Sequence, residues 1–368
     1  MGKRAIIQID LGREWRGGQA QTLQLTEDLK KNGWPVFLAA RGGSPLQQRA
    51  VEIGVSVIPL NPLAPFAPLT AWRLRRELKA LKPGILHFHD SHAITIGRLA
   101  APAAALKVIS RKVDFPLQKN FLSRWKYGNG IDAVIAVSRA VAATLARSGI
   151  PERLITVIPD GCDTKSLQPT AARSELRRRL GLGEHDIVAG YVAAMTAEKG
   201  HRDLLEAVRL LKDDAAAFQL LLVGDGPLRA ELEKLNAQGG TAERVRFLGF
   251  QRDLADILHA LDFYVASPRH EGFGSVVLAA QACGLAVAAT RTGGIPENVL
   301  DGETGLLVPA SDPAALARCI ASLASHPDLR ARLGTAGRSR VRAEFSRERM
   351  AKRTIALYSS LLEKKELI

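Results

Sequence analysis

Short apolar runs alternate along the chain with segments whose apolar residues recur at helical spacing. In the first half these runs predict strands at residues 4–10, 35–40, 55–60, 84–89, 107–111, 132–137 and 154–158. The spacing between them predicts helices such as 17–32 and 70–81. Strands that alternate with helices in this way are typical of a parallel sheet with an α/β fold.

After the turn-rich stretch PDGCDTKSLQPT the same pattern starts again. It predicts strands at 187–193, 218–223, 244–248, 262–266 and 285–289, and helices at 200–212, 227–236, 253–260 and 274–282. We therefore expect two α/β domains: an N-terminal one of residues 1–165 and a C-terminal one of residues 166–349. The final stretch has Met350, Ile355, Leu357 and Leu361 near helical spacing, which predicts a helix at about 350–368 that packs back on the N-terminal domain.

The bulk composition fits a soluble globular protein. Charged residues make up 24% and hydrophobic residues 46% of the chain, a balance that argues against disorder. The three cysteines, Cys162, Cys283 and Cys319, share no close spacing, so neither a disulfide framework nor a zinc site is expected and a reducing cytoplasm fits best. The start MGKRAIIQID lacks the features of a signal peptide, and no stretch is apolar for the roughly 20 residues of a membrane span.

Positive charge is concentrated in the first half of the chain. Residues 1–165 hold 24 of the 51 Lys and Arg but only 12 of the 37 Asp and Glu, so most of the net charge of +14 lies there. Such a field favours an anionic partner: nucleic acid, an acidic membrane face or a phosphate-rich glycolipid. A basic face that serves only solubility remains the alternative.

One segment of this basic half, residues 111–130, interleaves cations with aromatic residues. Its members are Arg111, Lys112, Lys119, Arg124 and Lys126 with Phe115, Phe121, Trp125 and Tyr127. This mixture suits an anionic membrane surface or a charged glycolipid. It would also suit RNA, but no nucleic-acid-binding module is recognisable, so we expect no nucleic-acid partner. The predicted location is the cytoplasm. A further hypothesis is that the protein attaches peripherally to the inner face of the membrane.

Polar residues follow several predicted strands, where open parallel sheets bind their ligands. Gly17 and Gly18 come after the first strand and open a helix, so their N–H groups can approach an acceptor group, although a bland tight turn is equally consistent. His89 ends another strand and could orient a substrate hydroxyl or carry a proton, or it could be a satisfied structural histidine. A metal site of His87, His89 and His92 lacks supporting Cys or Glu residues.

Three strand ends of the second half carry charge or glycine turns. Lys199 lies after a strand and before a helix, where an ammonium can neutralise a diphosphate leaving group, or where a solvated lysine can simply begin a helix. Gly224 is followed by Pro227, which the pattern places at the first position of a helix. Glu271 leads through a glycine turn into a helix whose free N–H groups form an anion site.

These pieces, in this order, resemble the large retaining glycosyltransferase family 4. The resemblance runs over nearly the whole chain, through WRGGQ, HFHDSHA, AVIAVSRAV, VIPDGCD, EKGHRDLLEA, LLVGDGPLRAELE, VRFLGF, EGFGSVVLAAQACGLAVAATRTGGIPE and DGETGLLVP. It implies the GT-B fold, in which two Rossmann-like domains face each other across an interdomain cleft. It also implies transfer of a sugar from a nucleotide-sugar to an acceptor hydroxyl with retention at the anomeric carbon, with no cofactor and no metal ion.

The resemblance assigns roles to individual residues. Catalytic roles fall to Glu271, which would hold sugar hydroxyls of the donor, to Lys199 on the donor diphosphate, and to His89 beside the transferred sugar. The donor-binding positions that it implies are Gly17, Gly18, Gly224, Phe250, Gly272, Phe273, Gly274, Ser275 and Val276. The acceptor that we expect is a lipid-linked, lipopolysaccharide or other cell-envelope glycan, because of the basic and aromatic first half.

Two positions depart from the family pattern. Ala279 stands where a second acid usually binds the nucleotide ribose, and Ala194 stands where an arginine often faces the diphosphate. Arg291, Arg269 or Arg202 could replace that arginine from nearby loops. The alternative is a catalytically impaired sugar-nucleotide-binding protein that acts as a partner subunit; nothing in the sequence favours a GT-B-like epimerase or phosphorylase.

Overall fold

The structure, a computed structural model, describes residues 3–61, 67–118, 120–211 and 218–366. The chain divides into two compact units. Met1–Gly161 and Arg347–Ile368 form the first unit, and Cys162–Ser346 form the second. The last helix of the chain therefore belongs to the same unit as its first strand.

The first unit contains a seven-stranded sheet in which all neighbouring strands pair in parallel. Its strands are Ile6–Asp10 (β1), Val36–Arg41 (β2), Ser56–Leu60 (β3), Ile85–Phe88 (β4), Leu106–Arg111 (β5), Ala133–Ala136 (β6) and Ile155–Val157 (β7). Its helices are Gly17–Lys31 (α1), Pro45–Glu52 (α2), Ala67–Leu81 (α3), Ser91–Ala100 (α4), Phe121–Tyr127 (α5), Arg139–Arg147 (α6) and Arg347–Glu366 (α15). The strand order is β3-β2-β1-β4-β5-β6-β7, and all seven strands predicted from the sequence are present.

Helix α15 packs into the core of the first unit. Met350 and Tyr358 lie in the same hydrophobic cluster as Ile6 of β1, and the partly buried Ile355 and Leu361 pack against that cluster. At the start of α15 the buried Arg347 donates a hydrogen bond from Nε to Asp28 of α1 at 2.8 Å. Apolar burial and this ion pair together hold the end of the chain against its beginning.

The second unit contains a six-stranded parallel sheet. Its strands are Ile187–Val192 (β8), Phe218–Val223 (β9), Val245–Gly249 (β10), Phe263–Ala266 (β11), Ala286–Thr290 (β12) and Leu306–Val308 (β13). Its helices are Arg173–Arg179 (α7), His201–Arg209 (α8), Arg229–Gln238 (α9), Leu254–Ala260 (α10), Ser275–Ala282 (α11), Ile295–Asn298 (α12), Pro313–Ser325 (α13) and Pro327–Glu344 (α14). The strand order is β10-β9-β8-β11-β12-β13.

Two helix boundaries of the second unit differ from the sequence prediction. Pro227 was expected at the first position of its helix, but α9 begins at Arg229 because the preceding residues form a turn in which Leu228 N–H binds Met195 O at 3.1 Å. The helix expected at 200–212 ends at Arg209, and Lys212 lies outside the described residues.

Each sheet has a point where the strand order reverses. In the first unit it lies between β1 and β4, and in the second between β8 and β11. Open α/β sheets bind ligands beyond the carboxyl ends of the strands at such points. The segments that follow these four strands contain Gly17, His89, Lys199 and Glu271, so the fold places these predicted site residues at the two reversal points.

Candidate active site

The segment after β11 is held by the segments on either side of it. Glu198 O accepts hydrogen bonds from the N–H groups of Arg269 at 2.8 Å and His270 at 3.3 Å. Glu271 O in turn accepts from Gly294 N–H, after β12, at 3.1 Å. The segment that contains Glu271 is therefore fixed by main-chain hydrogen bonds to the segments that follow the two neighbouring strands, β8 and β12.

Lys199 and Glu271 form an ion pair at this reversal point. Lys199 Nζ lies 2.7 Å from Glu271 Oε2, and the two side chains are only 23% and 20% exposed. Glu271 Oε1 also accepts from Gly272 N–H at 3.1 Å. The Tyr191 hydroxyl donates to Lys199 O at 2.9 Å, and burial raises the pKa of Tyr191, so this donor stays protonated. Sequence reasoning predicted both charged residues but not that they pair.

Two glycines permit the close packing of these segments. Gly200, at the junction of Lys199 with α8, has φ +65°, and a Cβ there would lie 1.9 Å from Ser267 O. Gly224, one of the predicted donor-binding positions, has φ +127°, and a Cβ would lie 2.1 Å from Ala193 O. A larger residue at either position would separate the main chains that shape the site.

Helix α11 begins beside Glu271 with its first turn open. Gly274 precedes it with φ +83° and ψ +61°, no side chain caps the helix, and its first turn holds no acidic residue. Ser275 and Val276 are only half-buried, so an anion can reach this turn. Its N–H groups have no partner within the helix and are the donors that such an anion would bind.

Phe273 and Phe250 occupy different surroundings. Phe273 is 2% exposed, and its ring packs edge-on against Phe345 at 5.4 Å between centroids. Because this ring is buried, only the main chain of Phe273 is available to a donor, and its donor-binding role stays a prediction. Phe250, just after β10, is 60% exposed.

The three arginines considered as replacements at Ala194 are all paired with acids. Arg269 makes two hydrogen bonds to Asp203, at 2.8 and 2.9 Å. Arg291 lies 2.6 Å from Asp301, and Arg202 is paired with Glu231. Lys199 is thus the cation that the structure places against Glu271, and the replacement arginines neutralise other carboxylates.

In the first unit Gly17 and Gly18 open α1 as predicted. Gly18 O accepts a hydrogen bond from Lys112 Nζ at 2.7 Å, and Thr22 Oγ1 lies 3.2 Å from the same ammonium. Burial lowers the pKa of Lys112. This corrects the assignment of Lys112 to the surface of segment 111–130, because its charge points inward and fixes the start of α1.

Two carboxylates that sequence reasoning did not assign to the site lie at strand ends: Asp10 is the last residue of β1, and Asp90 comes shortly after β4. Asp10 accepts from Thr22 Oγ1 at 2.9 Å. Asp90 accepts from Leu11 N–H at 2.5 Å and caps α4 through the N–H groups of His92 and Ala93. Burial raises the pKa of Asp90. Their position at the end of a strand was the signal that could have identified them.

His89 lies in the buried interior at the end of β4. It is 9% exposed, and its Nε2 lies 2.6 Å from Gln8 Oε1. With His87 and Lys112 it lines a cavity of about 30 Å³, large enough for one or two water molecules. Burial lowers the pKa of both histidines, that of His87 to about 3. Both His87 nitrogens have protein partners, and no group of three metal-ligating side chains occurs among the described residues.

Segment 111–130 is exposed only in part. Phe121 is 83% exposed and Leu122 50%, whereas Tyr127 is buried and Trp125 lies under the guanidinium of Arg98. The surface role expected for Tyr127 is therefore wrong, and Lys119 lies outside the described residues. In the part of the chain that the structure describes, no helix is both long enough and apolar enough to span a bilayer.

Comparison with known proteins identifies the family. The model of Glycosyltransferase Family 4 matches residues 15–166, and that of Glycosyl transferases group 1 matches residues 172–340. The GDP-mannose-dependent alpha-(1-6)-phosphatidylinositol monomannoside mannosyltransferase of Mycolicibacterium smegmatis is 30% identical over 327 residues, 81% of this chain and 82% of that protein. The chain belongs to glycosyltransferase family 4.

This glycosyltransferase is similar to further proteins over most of its length. The lipopolysaccharide core biosynthesis mannosyltransferase LpsB of Rhizobium meliloti is 34% identical over 242 residues, 63% of this chain and 66% of that protein. The crystal structure of Anabaena HepE in complex with UDP and glucose matches with a TM-score of 0.86 at 20% identity, over 97% of this chain and 100% of that one. The glycosyltransferase therefore has the GT-B fold, as the sequence predicted.

Proposed function

We propose that the protein is a retaining glycosyltransferase that moves a sugar from a nucleotide-sugar to a hydroxyl of a lipid-linked, lipopolysaccharide or other cell-envelope glycan. The observation that carries the proposal is the Lys199–Glu271 pair, 2.7 Å apart, beside the uncapped start of α11. It brings together a cation for phosphate, a carboxylate for sugar hydroxyls and free N–H groups for an anion. HepE, similar in fold, was crystallised with UDP and glucose, which agrees with a nucleotide-sugar donor.

In this proposal the protein positions and neutralises the reacting groups. Lys199 and the first turn of α11 stabilise the departing diphosphate, Glu271 binds hydroxyls of the donor sugar, and His89 orients a hydroxyl of the transferred sugar. The leaving phosphate guides the acceptor onto the same face of the sugar, which gives retention. Positive charge from Lys199 and the helix start takes the place of a metal ion, so we expect EDTA to leave turnover unchanged.

The proposed acceptor rests on the surface of the first unit and on the relatives. Nine of the twelve large apolar side chains recorded as exposed among the described residues lie in this unit, and α3, α4 and α5, which carry several of them, pack in succession. The two relatives are named for a phosphatidylinositol mannoside and for the lipopolysaccharide core. We accordingly place the enzyme at the cytoplasmic face of a membrane, with Phe121 and Leu122 of α5 reaching the lipid.

The donor reaction is tested by incubation with a panel of nucleotide-sugars, with release of nucleotide as the signal. Release that rises with a lipid-linked acceptor, and a product with the anomeric configuration of the donor by NMR, is the expected result. Binding of a nucleotide-sugar without release, across a panel of acceptors, would instead indicate an impaired binding protein. An inverted product would refute the retaining mechanism.

Membrane attachment is tested by sedimentation with anionic and neutral vesicles. The wild type should sediment with anionic vesicles and dissociate as salt is raised. The double variant Phe121→Ser, Leu122→Ser should lose this binding. The control Leu210→Ser removes an apolar side chain that is 44% exposed in the second unit, and it should bind as the wild type does. Binding that ignores lipid charge and salt would refute the proposal.

A further inference from the structure

A chain of hydrogen bonds runs through the interior of the first unit from Ser110 to His89. His87 Nε2 lies 2.8 Å from Ser110 Oγ, and His87 Nδ1 lies 2.6 Å from the Tyr358 hydroxyl. Gln8 Nε2 donates to the same hydroxyl at 3.1 Å, and Gln8 Oε1 lies 2.6 Å from His89 Nε2. We call these five residues the relay. It joins β1, β4 and β5 to Tyr358 on α15, 350 positions from Gln8 in the sequence.

The side-chain amide of Gln8 sets the direction of the relay. Because Gln8 presents its carbonyl oxygen to His89, the proton between them must be on His89 Nε2. The Tyr358 oxygen accepts from Gln8, so its own proton is free to be donated to His87 Nδ1. His87 then carries its proton on Nε2 and donates to Ser110. Burial raises the pKa of Tyr358, which keeps this phenol protonated and able to donate.

The relay therefore leaves His89 Nδ1 without a proton. This nitrogen is buried and has no hydrogen-bond partner among the described residues. His89 lines the cavity of about 30 Å³ that also meets Lys112 and Thr354. Burial disfavours the charged imidazolium, so a neutral ring with a bare Nδ1 is the stable form there. A bare nitrogen accepts a hydrogen bond and cannot donate one.

We propose that Tyr358 is a positioning residue that, through Gln8, holds His89 in the tautomer with a bare Nδ1, so that His89 accepts a hydrogen bond from a substrate hydroxyl. The substrate half of this inference rests on the proposed function, in which His89 orients a sugar hydroxyl. The relay half stands on the five residues alone. If the side-chain amide of Gln8 were rotated by 180°, every hydrogen bond of the relay would reverse and His89 Nδ1 would become a donor. The direction of the relay therefore determines which group of a substrate His89 can bind.

The tautomer can be measured directly by ¹⁵N NMR of the full-length protein with labelled histidine. In the wild type we expect the His89 signals of a protonated Nε2 and a bare Nδ1. Tyr358→Phe keeps the ring in the core but removes the hydroxyl that fixes Gln8, and it should give a mixture of His89 tautomers. Tyr264→Phe removes a buried hydroxyl of the second unit, bonded to Val192 at 3.2 Å, and should leave the His89 signals unchanged. A protonated Nδ1 in the wild type, or an unchanged tautomer in Tyr358→Phe, would overturn the proposal.

Measurements of turnover test whether Tyr358 affects the reaction through His89. We expect Tyr358→Phe to lower kcat/KM about twofold, equivalent to about 0.4 kcal/mol, because only about half of its His89 rings would then keep the bare Nδ1. In a His89→Ala background the same change should have little further effect, since it acts through that ring. An additive loss would refute action through His89. If the tautomers behave as expected but His89→Ala leaves turnover intact, the relay stands and the proposed role of His89 in transfer fails.

Discussion

Replacing Lys199 by alanine should lower turnover far more than it lowers affinity for free nucleotide. The Lys199 ammonium is held 2.7 Å from Glu271, at the position where we expect charge to develop on the departing diphosphate. Removing one preorganised donor to developing charge typically costs about 10²- to 10³-fold in kcat. A contact that bound nucleotide and transition state equally would change affinity by the same factor instead.

The same variant should destabilise the second unit by a smaller, separable amount. Both partners are about one-fifth exposed, and a hydrogen bond to a charged group contributes about 1.5–3 kcal/mol. Glu271 keeps its bond from Gly272 N–H, so its carboxylate is not left without a donor. A loss of about 2 kcal/mol in a unit of this size corresponds to roughly 4–8 °C in Tm. The folded population is then unchanged at ordinary assay temperatures, and kcat reports chemistry.

The assay compares kcat from nucleotide release with the Kd of the nucleoside diphosphate from calorimetry. Arg209→Ala is the matched control, because it removes an exposed cation paired with Glu206 in the same unit. The control should change neither quantity. Equal losses of kcat and of nucleotide affinity in Lys199→Ala would refute the role assigned to this residue.

Three further changes test other parts of the site. Ala279→Glu should tighten donor binding about tenfold in calorimetry by restoring a ribose acceptor, with Ala279→Gln as the uncharged control; an unchanged Kd would mean that the ribose is held elsewhere. Burial lowers the pKa of His201 to about 4, whereas in the unfolded chain this histidine has a pKa near 6.5. The free energy of unfolding should therefore be highest above pH 6.5 and should decrease as the pH falls towards 4, because the unfolded chain binds a proton that the folded protein does not. In urea unfolding, His201→Phe should therefore lose less stability than the wild type between pH 7 and 5, by about 2 kcal/mol in total; identical pH slopes would contradict this. Gly274→Ala should lower Tm more than Gly302→Ala, because both glycines have φ near +80° but only at Gly274 would a Cβ meet Ile295, at 2.7 Å.

The alternation of strands and helices was readable from the sequence because both sheets are parallel and most of their strands are buried on both faces. Strands such as β6 and β11 are wholly buried and appear as continuous apolar runs. Strand β13 is only three residues long, and no prediction included it. The helices α13 and α14 follow it with only a short break between them, and the sequence analysis assigned no element there.

Lys199 and Glu271 were located from the expectation that parallel sheets bind ligands at the carboxyl ends of their strands. Their pairing, however, depends on the strand order. The two residues are 72 positions apart, and β8 and β11 become neighbours only because the order of the sheet reverses there. The relay lies further beyond sequence reasoning. Gln8 is one polar residue in an apolar run, and Tyr358 is one ring in an amphipathic helix, so neither pattern indicates a hydrogen bond between them.

The ion pair also determines how the donor can enter the site. With Arg202, Arg269 and Arg291 bound to other acids, Lys199 is already neutralised by Glu271 before any ligand arrives. A diphosphate can recruit Lys199 only if Glu271 receives other donors in exchange, and the hydroxyls of the donor sugar are suited to supply them. A free nucleotide has no sugar at that position, so it should leave the pair intact and gain little from Lys199. For this reason the Lys199→Ala loss should appear with the nucleotide-sugar and in turnover, and not in the affinity for the nucleotide alone.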